Sequence, residues 1–146
     1  EKLVAGQPML VPFPFAGKPA PQPNADDFMI RQSCIKYYPA EYHAQSAVYI
    51  ALELKKSLGI TDGGEVSSVL IESHDAAVDI IGSEPEKWRP DSRETADHSL
   101  PYMVAAALAD GELTDRQFEP ARFKDEKLLA LVAKVKVQRH KELSDM

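Results

Sequence analysis

Proline is concentrated at one end of the chain, and this most constrains where a fold can form. Six of the 11 prolines fall within the first 24 residues. Because proline fixes φ and has no backbone N–H, this stretch is expected to be extended and mostly outside regular ladders. We therefore predict a Pro-rich extended arm or linker over residues 1–25 and a folded domain over residues 26–146. Phe13 and Phe15 favour an arm over a linker, because their apolar rings would pack against a neighbouring surface.

Beyond the arm, helical patterns alternate with short runs rich in β-branched and aromatic residues. Strand-like runs occupy residues 28–38, 65–72 and 135–139, the last with the alternation of an edge strand. Helical spacing of apolar residues predicts helices at 41–58, 73–81, up to 109, around 118 and over 125–134. Helices between only three or four strands favour an α+β fold: a two-layer domain with helices on one face of a small, mainly antiparallel sheet.

Residues with strong end preferences mark the limits of these helices. We predict Ser73 as the N-cap of the helix that reaches Ile81, and Thr95 or Asp97 as the N-cap of the helix that reaches Ala109. The run Thr114-Asp115-Arg116-Gln117 has the spacing of a capping box. The glycines expected to end helices are Gly59, Gly82 and Gly111.

Charge and cysteine content exclude several classes of function. The formal net charge is -6 and the pI is near 5.2, which argues against nucleic-acid binding, since phosphate contacts need concentrated Lys and Arg. The single cysteine, Cys34, can form neither an internal disulfide nor an iron–sulfur site. No apolar run approaches the roughly 20 residues that cross a bilayer. The histidines lack metal-ligand spacing, so neither metal nor cofactor is expected.

The first polar constellation spans residues 36–45, where a predicted strand leads into a predicted helix. A helix N-terminus attracts carboxylates, and Lys36 adds a cation beside it. His43 lies in the first turn and can exchange a proton near neutral pH. The alternative is structural, because an acid such as Glu41 in a first turn is commonly only a partner of the helix dipole.

The second constellation is the run Arg93-Glu94-Thr95-Ala96-Asp97-His98-Ser99-Leu100-Pro101-Tyr102. It precedes an almost wholly apolar helix, and a segment that only had to pack would not need so many reactive groups. His98 and Tyr102 are four residues apart and would share a helical face. Pro101 is compatible with the first turn of a helix, which would place the start of the helix near Leu100. In that case His98 would lie just before the helix and not within it. The alternative is a capped helix with a hydrogen-bonded histidine.

Together the two constellations resemble the MmgE/PrpD family, which includes 2-methylcitrate dehydratase, cis-aconitate decarboxylase and iminodisuccinate epimerase. The matching runs are "IKYYPAEYHAQSAVYIALELK" at residues 35–55 and "RPDSRETADHSLPYMVAAALADGELT" at residues 89–114. The second is highly specific, and the "YPAEYHAQ" form is most similar to the methylcitrate dehydratase branch.

The resemblance implies a place within a larger enzyme. Family members resemble a two-part protein, a large helical domain and a smaller α+β domain that closes over it as a lid. This chain matches the lid-type domain, and the N-terminal helical domain has no counterpart in it. The resemblance further implies a homodimer for the full-length protein, a cytoplasmic location, a role in propanoate metabolism, and no activity for the lid alone.

The resemblance also implies roles for particular side chains. They are catalytic groups at Lys36, His43, His98 and Tyr102, and substrate-binding groups at Arg93, Glu41 and Gln45. Eliminating water from a hydroxy-tricarboxylate such as 2-methylcitrate needs a base, an acid and cations for the growing negative charge, and these residue types supply them. The alternatives are a decarboxylase or epimerase of the same family, or a non-catalytic module that binds a small acid or a partner protein.

Overall fold

The computed structural model describes residues 35–145. The arm predicted over residues 1–25 and the first seven residues of the strand predicted over 28–38 lie outside the described residues. The last four residues of that predicted strand are irregular backbone and bends. Within the described part of the chain, no helix is both long and apolar enough to cross a membrane.

Seven α-helices and two strands make up the regular structure of the described residues. The helices are α1 Gln45–Leu58, α2 Asp75–Ile81, α3 Arg93–Asp97, α4 Leu100–Asp110, α5 Pro120–Phe123, α6 Glu126–Val132 and α7 Lys141–Ser144. The strands are β1 Val69–Ser73 and β2 Val135–Arg139. Short 3₁₀ helices lie at Tyr42–Ala44, Pro85–Trp88 and Asp115–Phe118.

The helix ends confirm some of the predicted signals and correct others. Gly59 and Gly111 end α1 and α4 at φ of 66° and 77°, a left-handed conformation that glycine adopts without a Cβ clash. The capping box at Thr114 is present. The predicted caps Thr95 and Asp97 are wrong, because the chain breaks at His98 into two helices that Ser92 and Ser99 cap. Ser73 ends β1, and His74 takes the N-cap position of α2.

The predicted sheet is wrong in the orientation of its strands and in its share of the secondary structure. Within residues 35–145, β1 and β2 form a two-stranded parallel sheet, with Val69 opposite Val135 and Ser73 opposite Arg139. Parallel strands need a long crossover, and the helices α2 to α6 provide it. The described domain is therefore mainly helical, and its small sheet is not antiparallel.

The core is organised around a helix. Every residue from Leu100 to Leu108 is buried, including Tyr102 and Met103 at 0% exposure. A helix that is apolar on all sides is stable in water only when its neighbours cover it. On α4 these neighbours are α1 and α6, with β2 and the 3₁₀ helix Pro85–Trp88 also in contact. Burial of each large aliphatic side chain contributes about 1.5–3 kcal/mol, so α4, with Leu100, Val104 and Leu108 buried, contributes substantially to apolar stabilisation.

The position of α4 also determines where its polar N-terminal flank lies. Ser99 Oγ accepts from the Tyr102 N–H at 3.1 Å and donates to the carbonyl of Lys87, which anchors the start of α4 in the core. His98, one residue earlier, is about half exposed. The break between α3 and α4 therefore lies at the boundary between core and solvent.

Candidate functional site

The two polar constellations line one cleft. Its volume is about 400 Å³, and its lining residues are Lys36, Tyr37, Tyr38, Pro39, Ala40, Glu41, Asp97 and His98. The Glu41 N–H donates to the Asp97 carbonyl at 3.1 Å, which joins the segment before α1 to the end of α3. We call this feature the junction cleft. It brings together Lys36, Glu41 and His98 from the predicted site.

Gln45 holds the loop that forms one wall of the junction cleft. Its Oε1 accepts from the N–H groups of Tyr37 and Tyr38 at 3.1 and 3.0 Å. Its Nε2 donates to the carbonyls of Tyr38 and Ala40 at 3.1 and 3.3 Å. These four bonds use the full capacity of the side-chain amide. Gln45 thus supports the wall, and direct substrate binding by Gln45 stays a prediction.

Glu41 lines the cleft and also ends the loop. Its Oε2 accepts from the backbone N–H of His43 at 2.6 Å, which caps the 3₁₀ turn Tyr42–Ala44. An acidic side chain that bonds a free N–H at a helix start satisfies a donor that would otherwise need water. The structural interpretation of Glu41 therefore holds, and its place in the cleft wall leaves the predicted substrate-binding role open.

Asp97 and His98 form a carboxylate–imidazole pair at the opposite wall. His98 Nδ1 lies 2.5 Å from Asp97 Oδ1 and 3.2 Å from the Glu94 carbonyl oxygen. Both neighbours are acceptors, so Nδ1 carries a proton and donates to them. In the neutral ring the lone pair is then on Nε2. This is the arrangement of a general base whose tautomer is set by a carboxylate.

Lys36 is exposed at the mouth of the junction cleft. Among the described residues its ammonium makes no ion pair. Glu41 and Asp97 are each engaged with neighbouring donors. A cation that pairs with no acid of residues 35–145 and lies beside an acid–base pair is suited to hold a carboxylate.

His43 lies two residues after Glu41, but it is not among the residues that line the cleft. Its Nδ1 lies 2.9 Å from Nε2 of His74, which precedes α2. His74 is not among the candidate residues that the sequence indicated. The contact joins residues 31 positions apart, because α2 packs on the 3₁₀ turn Tyr42–Ala44. The spacing of the two histidines in the sequence does not predict this contact.

Tyr102 and Arg93 lie away from the cleft lining. Tyr102 is fully buried, and its hydroxyl donates to the carbonyl of Gln117. Burial raises the pKa of Tyr102 well above its usual range, since the phenolate would lose its hydration. Arg93 is exposed and pairs with Asp115 at 2.9 Å. In this structure both residues have structural partners, and their predicted roles in chemistry stay predictions.

A second cavity differs in how its charges are paired. It has a volume of about 500 Å³ and lies between residues 62–64, the end of α4 and α6. Arg122 binds Asp110 and Asp125 at 2.6 and 2.5 Å. Lys134 donates to the Val66 carbonyl at 2.7 Å. Two of its three cations, Arg122 and Lys134, are thus bound to protein groups, and Lys127 also lines the cavity. The junction cleft is the better candidate because it places a lysine beside a histidine that a carboxylate orients. Across residues 35–145, His, Cys, Asp and Glu form no group of three or more that could hold a metal.

Residues 38–146 match the MmgE/PrpD C-terminal domain model. The chain belongs to the MmgE/PrpD family. Its matched region includes both walls of the junction cleft except Lys36 and Tyr37. The family resemblance of the two polar runs is thereby confirmed.

Several MmgE/PrpD relatives are named 2-methylcitrate dehydratase. The relative from Cupriavidus necator is 33% identical over 100 residues, which cover 67% of this chain and 20% of the relative. The relative from Salmonella typhimurium is 32% identical over 100 residues with the same coverage. A mitochondrial relative from Yarrowia lipolytica is 34% identical over 112 residues, covering 74% of this chain and 21% of its own length. The chain thus spans about one fifth of the length of the relatives it matches.

Proposed function

We propose that this chain supplies one wall of the active site of a 2-methylcitrate dehydratase-like lyase. The reaction is elimination of water from a hydroxy-tricarboxylate. The observation that carries the proposal is the junction cleft, where Lys36, Glu41 and the Asp97–His98 pair line one space of about 400 Å³. That volume is within the range of about 300–1,000 Å³ typical of small-molecule sites.

The proposed chemistry assigns a separate task to each group in the cleft. Lys36 holds a substrate carboxylate and stabilises the negative charge that grows on the enolate-like transition state. His98 accepts the α-proton on Nε2, while Nδ1 stays bonded to Asp97, which stabilises the resulting imidazolium. Glu41, whose carboxylate is held by the His43 N–H, borders the substrate.

The proposed site is incomplete in this chain. In the cleft, Lys36 and His98 face two carboxylates, so the described groups provide no excess of positive charge for a tricarboxylate. The chain also matches only 20% of the Cupriavidus necator relative. We therefore propose that a further helical domain provides additional cations and the acid for the leaving hydroxyl, and that the isolated chain has no turnover. The proposal includes homodimerisation and a cytoplasmic role in propanoate metabolism.

The first experiment assays the full-length product of the gene with 2-methylcitrate, citrate and cis-aconitate, following alkene absorbance and carbon dioxide release. Water elimination from 2-methylcitrate is expected. Carbon dioxide release from cis-aconitate would instead favour the decarboxylase alternative. Binding of these acids without turnover would favour the non-catalytic module.

A chimera tests the same proposal within a related enzyme. The stretch of the Cupriavidus necator 2-methylcitrate dehydratase that corresponds to residues 36–146 of this chain is replaced by those residues, so that every residue lining the junction cleft is included. Turnover is expected, because the cleft groups are all supplied. In the full-length product, Lys36→Ala should raise KM and lower kcat, whereas Lys56→Ala, which removes an exposed lysine of α1 outside the cleft lining, should change neither. Equal effects of the two lysine variants would contradict the role of Lys36.

A further inference from the structure

Two histidine rings face each other beside the junction cleft. His43 Nδ1 and His74 Nε2 are 2.9 Å apart, the ring centroids are 5.0 Å apart, and the ring planes meet at 60°. Both side chains are partly buried. His43 belongs to the turn that Glu41 caps, and His74 lies between β1 and α2. The contact therefore links the cleft wall to the end of the sheet.

The short N···N distance determines where protons can lie. A neutral imidazole has one N–H donor and one lone-pair acceptor. One of the two facing nitrogens must carry the proton and the other must accept it. The two rings cannot both carry a proton on the facing nitrogens, because two N–H groups would then point at each other. The tautomer of one ring thus sets the tautomer of the other.

The outer contacts of the pair differ at its two ends. His74 Nδ1 lies 3.4 Å from Ser73 Oγ, and a hydroxyl can accept from or donate to this nitrogen. Within residues 35–145, Nε2 of His43 makes no hydrogen bond. A chain of contacts therefore runs from Ser73 through His74 to His43.

We propose that His74 is a positioning residue that holds the ring of His43 and sets its tautomer, and thereby fixes the turn whose Glu41 side chain lines the junction cleft. In this arrangement His43 Nδ1 donates to His74 Nε2, and His74 carries its own proton on Nδ1, toward Ser73. His43 then has its lone pair on Nε2, and its backbone N–H keeps the Glu41 carboxylate in place at the cleft wall. The role in turnover rests on the function proposed above, whereas the positioning itself does not.

Three variants of the full-length product separate positioning from folding. His74→Phe keeps an aromatic ring and removes both nitrogens. His74→Gln restores a polar atom close to the position of Nε2. His140→Gln is the matched control, since His140 is another partly buried histidine that precedes a short helix and lies outside the pair. Circular dichroism and thermal unfolding establish that each variant is folded.

Steady-state kinetics with 2-methylcitrate give the first readout. Because a small misplacement of a residue in the cleft wall can cost about a hundredfold, His74→Phe should lower kcat by about 10- to 100-fold. His74→Gln should recover most of this loss, and His140→Gln should match the wild type. A wild-type kcat in His74→Phe would overturn the proposal, as would a His74→Gln variant that is folded but as slow as His74→Phe.

Nitrogen-15 NMR of histidine-labelled protein gives a readout that needs no turnover. In the wild type, His43 should be the tautomer protonated on Nδ1, and in His74→Phe that preference should be lost. An unchanged His43 spectrum in His74→Phe would refute the positioning role. If the wild type has no lyase activity but the His43 tautomer changes in His74→Phe, the function proposed above fails while the positioning by His74 is supported.

Discussion

The two halves of the run 93–102 lie in different environments. Asp97 and His98 line a solvent-accessible cleft, with 30% and 49% of their side-chain surfaces exposed. Ser99 and Tyr102, one and four residues after His98, are completely buried. In the exposed half, the hydrogen bonds leave one nitrogen of His98 available. In the buried half, the hydroxyls of Ser99 and Tyr102 donate to backbone carbonyls of Lys87 and Gln117.

This difference shows that polar residue type alone does not identify a reactive group. A buried hydroxyl that bonds a buried carbonyl removes a desolvation cost of about 1–3 kcal/mol, which is enough reason for its presence. The imidazole of His98 also bonds the Glu94 carbonyl at the end of α3, but it is half exposed and its Nε2 is not used in that bond. We therefore propose chemistry for the His98 side of the run and stability for the Tyr102 side, and the following measurements test that division.

The largest expected effect belongs to His98. In the full-length product, His98→Ala should lower kcat for water elimination by about 10²- to 10⁴-fold, the usual contribution of a positioned acid or base. Thermal unfolding should change little, because the ring is half exposed. An unchanged kcat would show that His98 is not the base, and it would contradict the assignment of chemistry to the exposed half of the run.

Tyr102→Phe should act on stability. The substitution keeps the ring in the core and removes the hydroxyl that bonds the Gln117 carbonyl. That buried acceptor loses its partner, so the free energy of unfolding should fall by about 1–3 kcal/mol. Urea unfolding measures the loss, and kcat of the folded variant should stay near the wild-type value. A large fall in kcat at unchanged stability would return Tyr102 to the catalytic group.

The same residue predicts a limit to stability in alkali. Burial raises the pKa of Tyr102 in the folded state above the unfolded value of about 10. Its contribution is complete below pH ~10 and is lost as pH rises above that value toward the folded pKa. Stability should therefore fall by about 1.4 kcal/mol per pH unit in this window. Thermal unfolding between pH 8 and about 11 should show a smaller decline in Tyr102→Phe, and equal declines would exclude Tyr102 as its source.

Gln45→Ala should lower stability less than Tyr102→Phe does and should weaken the cleft wall. Its amide makes four hydrogen bonds to the loop at residues 37–40, which is partly exposed, so water can replace some of them. We expect a loss of about 1 kcal/mol in the free energy of unfolding. KM should rise because the loop carries one wall of the cleft. A matched Ser46→Ala change at the exposed neighbour should leave both quantities unchanged, and equal KM values in the two variants would argue against a role for Gln45 in shaping the wall.

Local hydrogen bonding made several features readable from the sequence. Gly59 and Gly111 end helices because each position needs a positive φ, and Thr114 with Gln117 forms a capping box within four residues. The helix start near Leu100 followed from Pro101 and is confirmed by α4. The run from residue 93 and the run from residue 35 also identified the family, which the match over residues 38–146 bears out.

Only the tertiary structure decided what depends on residues far apart in the chain. Three features depend on contacts between segments that are far apart in sequence. They are the parallel pairing of β1 with β2, the burial of Tyr102 and the contact between His43 and His74. Sequence spacing alone does not predict such contacts. Strand direction follows from the path of a helical crossover, and the exposure of a polar group follows from which helices pack against it. The residue types by themselves therefore determined which groups were available for chemistry, and packing around α4 decided which of them reach the junction cleft.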